Sequence, residues 1–173
     1  NCNVSFAEQF KFETSEIEIL ENGNLTYAKN GKAFSVNGSL EIQAEKFEFI
    51  KDLNTLKAFK GVAFFKPKNL KIEFDQISLD QLNQITIAND NIKIIDLNKQ
   101  IQIETDSISF DRKKDILESQ SQSVLKDKNN NVLNADAFSY NLEVGTLKLK
   151  NANLKDFNEN NFKIKTAFLN TFS

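Results

Sequence analysis

The strongest constraint on this chain is a phrase that it repeats six times. Ile101-Gln-Ile-Glu-Thr-Asp-Ser-Ile-Ser-Phe110 alternates apolar residues at Ile101 and Ile103, follows with small Thr105 and acidic Asp106, then resumes at Ile108 and Phe110. The pattern returns in Phe12–Ile19, Ile42–Phe49, Ile72–Leu79 and Leu133–Tyr140, and is cut short in Ile164–Phe168. Its corner position falls at Thr14, Ala44, Phe74, Thr105, Ala135 and Thr166, at spacings of 30, 30, 31, 30 and 31 residues. A fixed period of this size is the mark of stacked units, each covering a face that its neighbour cannot bury alone.

Strict alternation is the period of a half-buried β-strand. Within each copy the apolar phase slips once: Ile101, Ile103 and Thr105 share one parity, and Ile108 and Phe110 have the other. A flat strand would turn half of that apolar face to water. A corner at Thr105–Ser107 resolves the conflict by bending the strand so that both halves face one interior. Small residues fit the inside of such a bend, and the acids that follow (Glu45, Asp75, Asp106, Asp136) can face solvent. Phe74 breaks the small-residue rule, so its corner is expected to be wider. By this reading Phe12, Ile42, Ile72, Ile103 and Leu133 face inward before the corner, and Ile17, Phe47, Ile77, Ile108 and Phe138 do so beyond it.

The segments between copies decide how the strands connect. Asn22-Gly23 and Asn37-Gly38 read as two-residue hairpin turns, which join antiparallel neighbours. Return segments carry breaks at Asn30-Gly31, Lys60-Gly61, Asn89–Asn91, Gln120–Gln122 and Asn151, each opposite an outgoing corner. Both strands of a pair then bend at the same height. The expected fold is all-β, a folded two-walled antiparallel sheet of about five 30-residue repeats, in preference to a parallel β-helix. A sixth copy opens at Phe162–Leu169 without a return strand.

Composition narrows the chemistry. The chain has 173 residues, one domain's worth, with 40% hydrophobic residues and a net charge of −2, which does not suit nucleic acid. It has no His and only Cys2, so a Cys/His zinc site, a His general base and an internal disulfide are all unavailable. The Asp/Asn-rich turns lack the order of a calcium loop, and the periodic acids mark corners rather than a catalytic pair. No metal, cofactor or enzymatic activity is expected. Outward lysines read as a solvated face with no cluster among them. No apolar run approaches the ~18 residues of a membrane span. Ser5-Phe6-Ala7 fits the end of a secretory leader, so residues 1–8 are read as a leader remnant or disordered lead, with the folded domain at 9–173.

The repeated corner in Ala44-Glu-Lys-Phe-Glu-Phe49, Thr105-Asp-Ser-Ile-Ser-Phe110 and Ala135-Asp-Ala-Phe-Ser-Tyr140, with the return strand Leu56-Lys-Ala-Phe-Lys-Gly-Val62, resembles the OstA-like family of lipopolysaccharide-transport proteins. The resemblance covers about Gln9 to Leu169. The ending Leu149–Phe157 and the cut sixth copy look more like the amino-terminal periplasmic domain of the family's outer-membrane translocon than like its periplasmic bridge protein. Two departures stand out: Ser119–Ser123 lacks the glycine-valine ending, and Phe74 replaces a small residue.

The resemblance implies a bent β-jellyroll in the periplasm, tethered to the outer membrane, whose interior holds the acyl chains of lipopolysaccharide. The lining would include Phe12, Ile17, Ile42, Phe47, Phe49 and Phe74 in the first half. Ile77, Ile103, Ile108, Phe110, Leu133 and Phe138 would continue it. Phe12, Thr14 and Ile17 would lie on an amino-terminal edge that docks a homologous periplasmic jellyroll, with an outer-membrane barrel at the carboxy-terminal end. Two other readings compete with this conduit: a structural or adhesive β-solenoid, and a β-helix enzyme acting on polysaccharide. A closed apolar core is the ordinary meaning of such ladders.

Overall fold

The computed structural model describes residues 10–155 and 161–170, with side chains for 10–153. The leader expected at 1–8 and the side chains of the sixth copy lie outside them. Seven long strands open the chain: β1 (Phe10–Leu20), β2 (Leu25–Ser35), β3 (Leu40–Ile50), β4 (Thr55–Phe65), β5 (Leu70–Asp80), β6 (Ile85–Asp96) and β7 (Ile101–Asp111). Then come β8 (Ile116–Ser119), β9 (Ser123–Lys126), β10 (Val132–Ala135), β11 (Ala137–Asn141), β12 (Thr146–Lys155) and β13 (Asn161–Asn170). All pairings are antiparallel, and each long strand pairs with the next in the chain. β8 with β9, and β10 with β11, are halves of single bent passes: β7 pairs with both β8 and β9, and β12 with both β10 and β11. β13 closes on β12. The expected folded antiparallel sheet is what forms.

The repeat length has a simple origin. Eleven-residue strands alternate with four-residue connections, so two passes fill 30 residues. β6 has 12 residues, which accounts for the spacing of 31 between Phe74 and Thr105. The hairpins expected at Asn22-Gly23 and Asn37-Gly38 exist, but their connections span four residues, not two. In most of these loops the last residue takes a left-handed backbone (Asn54 φ 46°, Asn69 52°, Gln84 57°, Asp115 55°), as four-residue hairpin loops commonly require.

A crease divides the long strands into two arms, and the arms stack into two walls. On the return strands the crease residue is left-handed: Asn30 (φ 50°), Lys60 (51°), Asp90 and Asn91 (62° and 52°), and Asn151 (50°). The next residue in β2 and β4 is glycine because the neighbouring backbone leaves no room. A Cβ at Gly31 would stand 2.1 Å from the Glu13 carbonyl oxygen, and one at Gly61 would stand 2.1 Å from that of Gln43. β6 has Ile92 there and carries the extra residue as a bulge between its pairings to Glu73 and Gln76. That bulge lies opposite Phe74, where a wider corner was expected. Between β8 and β9 hydroxyls fill the crease: Thr105 Oγ1 lies 2.9 Å from Ser119 Oγ and 3.0 Å from Ser123 Oγ. The missing glycine-valine ending is thus replaced by a hydrogen-bonded cluster.

Candidate functional site

The two walls enclose one apolar interior running the length of the stack. Register lines up Phe12, Ala33, Ile42, Ala63, Ile72, Ile94, Ile103, Leu125 and Leu133 on one wall. The other wall lines up Ile17, Ala28, Phe47, Ala58, Ile77, Ala88 and Ile108. In the second row large residues come from outgoing strands and alanines from returns; the first row keeps that order as far as Ile72, after which the returns supply Ile94 and Leu125. Rings from opposite walls fill the space above the alanines. Phe12 meets Phe47 edge-on at 5.8 Å between centroids, Phe10 meets Phe49 at 5.6 Å, and Phe65 meets Phe110 at 5.3 Å. Such pairs add about 0.5–1.5 kcal/mol each beyond their burial.

Ten of the twelve residues expected to line this interior are buried: Ile42, Phe47, Phe49, Phe74, Ile77, Ile103, Ile108, Phe110, Leu133 and Phe138. Phe12 is half-buried against the core. Ile17 shares their face but is 55% exposed. Ile19, which alternation did not single out as lining, is 62% exposed on that face too. The cause is position: among the described residues β1 pairs only with β2, and its second arm projects past the packed core. Apolar interior surface therefore emerges at the β1 end, beside a strand edge with no partner strand among the described residues. Phe12, Thr14 and Ile17 all lie on this strand, and Lys11 and Glu13 charge its outer face.

The strand ends form a seam where the walls meet again opposite the crease. Tyr140 Oη donates to Asp96 Oδ2 across it at 2.7 Å, with both residues buried. Lys99 Nζ bonds the Leu142 carbonyl at 2.8 Å and lies over the Tyr140 ring. Further along, Lys68 pairs with Asp115. Beside that pair a cleft of about 250 Å³ opens between turns of the two walls, lined by Ser39, Leu40, Phe65, Lys68, Gln81, Phe110 and Arg112 among others. Lys68 and Arg112 both line this cleft, and Lys68 reaches its partner Asp115 across 47 residues of sequence. On the outer wall Glu41 accepts from Lys32 at 2.8 Å and lies 3.3 Å from Lys66. The Lys32 hydrogen bond foremost holds its carboxyl below the usual carboxylate value, against an opposing desolvation effect. Among the described residues no group of three or more Cys, Asp or Glu side chains is placed to hold a metal ion.

A folded antiparallel sheet with an apolar interior between two walls defines the class of bent β-jellyrolls. No protein-family model and no curated protein matches the chain. Among solved structures it is similar to LptH, the LptA homologous periplasmic component of the conserved lipopolysaccharide transport device from Pseudomonas aeruginosa. The TM-score is 0.52, with 14% identity over 61% of this chain and 78% of that one. The likeness is one of fold: this chain has the LptA-like β-jellyroll, and the resemblance read from its corner motifs is met at that level. The antiparallel order also removes the parallel β-helix on which the polysaccharide-enzyme reading rested.

Proposed function

We propose that the interior is a passive conduit for the acyl chains of lipopolysaccharide on their way across the periplasm to the outer membrane. The observation that carries this is the apolar surface emerging at Ile17 and Ile19, beside the edge of β1 that pairs with no strand among the described residues. A closed domain core would be capped there, whereas a trough continued by a second jellyroll needs such an end. Away from the Tyr140–Asp96 hydrogen bond at the seam, the walls touch through aromatic rings. An alkyl chain can replace those contacts, gaining about 0.8 kcal/mol for each CH₂ that leaves water. The amino-terminal edge would dock a homologous periplasmic jellyroll, and the carboxy-terminal end would face an outer-membrane barrel, as in the family's translocon. The likeness to LptH supports the lipopolysaccharide reading.

The packed interior favours one alternative, a structural or adhesive module that assembles through its end strands. A photoreactive amino acid separates the two. Placed at the buried Ile103 in cells making lipopolysaccharide, it should label that lipid, while one at the outward Gln102 should not. Equal labelling, or none at either site, removes the conduit.

A further inference from the structure

The cleft at the seam is distinct from both ends of the interior. Its floor is Leu40, Phe65 and Phe110, which belong to the buried core. Its mouth carries Lys68 and Arg112 against the single carboxylate of Asp115. Arg112 Nη2 donates to the Asp80 carbonyl at 2.9 Å, which holds the guanidinium at the mouth. The neighbouring Lys66 and Lys114 are paired with Glu41 and Asp111, so the positive charge at the cleft is that of Lys68 and Arg112 against Asp115.

An apolar floor below a cationic, hydrogen-bonding mouth is complementary to an amphiphile with an anionic head. We propose that this cleft is a side port in the seam. It takes the phosphate or carboxylate head of an amphiphile at Lys68 and Arg112, while the chain enters the interior by displacing the edge-on contact of Phe65 with Phe110. The Lys68–Asp115 pair closes the port when it is empty, because an arriving anion competes with Asp115 for Lys68. The port rests on the reading of the interior as a holder of alkyl chains, and extends it by assigning where, and with what charge, the head sits.

The test uses N-phenyl-1-naphthylamine, an uncharged fluorophore that brightens in apolar surroundings, displaced by three twelve-carbon competitors below their micelle concentrations. Dodecyl phosphate should displace it from the intact protein at about tenfold lower concentration than dodecyltrimethylammonium, with dodecanol between them. Lys68→Gln with Arg112→Gln should abolish that order. Lys46→Gln with Lys57→Gln, two cations remote from the cleft, should leave it unchanged. Because Arg112 also braces Asp80, Lys68→Gln alone is measured with Lys68→Arg as its rescue, and folding is checked by circular dichroism. Absence of a head preference, or its survival in the double variant, overturns the port while leaving the conduit intact. Failure of the intact protein to bind the fluorophore at all overturns both.

Discussion

Tyr140 and Asp96 lie 44 residues apart in the chain and meet across the seam, where the phenol donates a 2.7 Å hydrogen bond to the carboxylate. Asp96 sits in an otherwise largely apolar inner row between Leu70 and Ile101, and its other oxygen accepts from the backbone of Asn98 and Lys99. Tyr140→Phe removes one donor and leaves that carboxylate buried. A destabilisation of about 1–3 kcal/mol is expected in denaturant unfolding. A loss below a few tenths would show that Lys99 and the turn amides satisfy Asp96 without the phenol.

The crease glycines are required for space, whereas the turn glycines are required for conformation. Gly31→Ala and Gly61→Ala drive a methyl into carbonyl oxygens of the neighbouring strand and should cost about 3 kcal/mol or more. Gly38→Ala meets nothing within 4 Å but holds φ at +72°, so about 1 kcal/mol is expected there. Similar losses at Gly31 and Gly38 in parallel melts would refute the steric account of the crease.

Phe74 is 4% exposed at the corner where β6 carries its extra residue. Phe74→Ala should lose about 3–5 kcal/mol if the ring fills a packed corner. The loss should be reduced when a twelve-carbon alkyl ligand is present at saturating concentration. An equal loss with and without ligand would indicate that no chain reaches this corner.

Ile17 and Ile19 are exposed, so charges there do not threaten the core. Ile17→Glu with Ile19→Glu should change unfolding free energy by no more than about 0.5 kcal/mol at each site. The same variant should lose capture of a homologous jellyroll in a pull-down, because strand addition at β1 would bury both charges. Retained capture, with loss instead on altering β13, would reverse the proposed polarity of docking.

Acid should weaken the outer wall through Glu41. Its carboxyl is held below the ordinary value of 4.5, chiefly by the Lys32 hydrogen bond. A depressed folded-state value means stability that is complete above the unfolded value and is lost as pH falls through the folded one. The Tm difference between the intact protein and Glu41→Gln should therefore be largest near neutrality and close below pH 4.5. A gap that does not change with pH would assign the effect to packing.

Much of this architecture was legible because a β-sheet writes its period into local sequence. Alternation marks which side chains share a face, and the phase slip at Thr105–Ser107 forces the bend. The recurrence of both at about 30 residues shows that every pass bends at one height. Whether that interior was coiled or folded followed from the asparagine-glycine turns. Their four-residue length did not, since those pairs suit tighter loops as well. What only the tertiary structure decided lies at the boundaries of the sheet. Ile17 reads like Phe47 in sequence, yet one is exposed and the other buried, because burial depends on a neighbour strand that alternation cannot count. The seam is illegible for a similar reason. Tyr140 finds Asp96, and Lys68 finds Asp115, across folded distances set by the crease angle and wall spacing. Local periodicity determines which way a side chain faces, and only closure of the two walls determines what it faces.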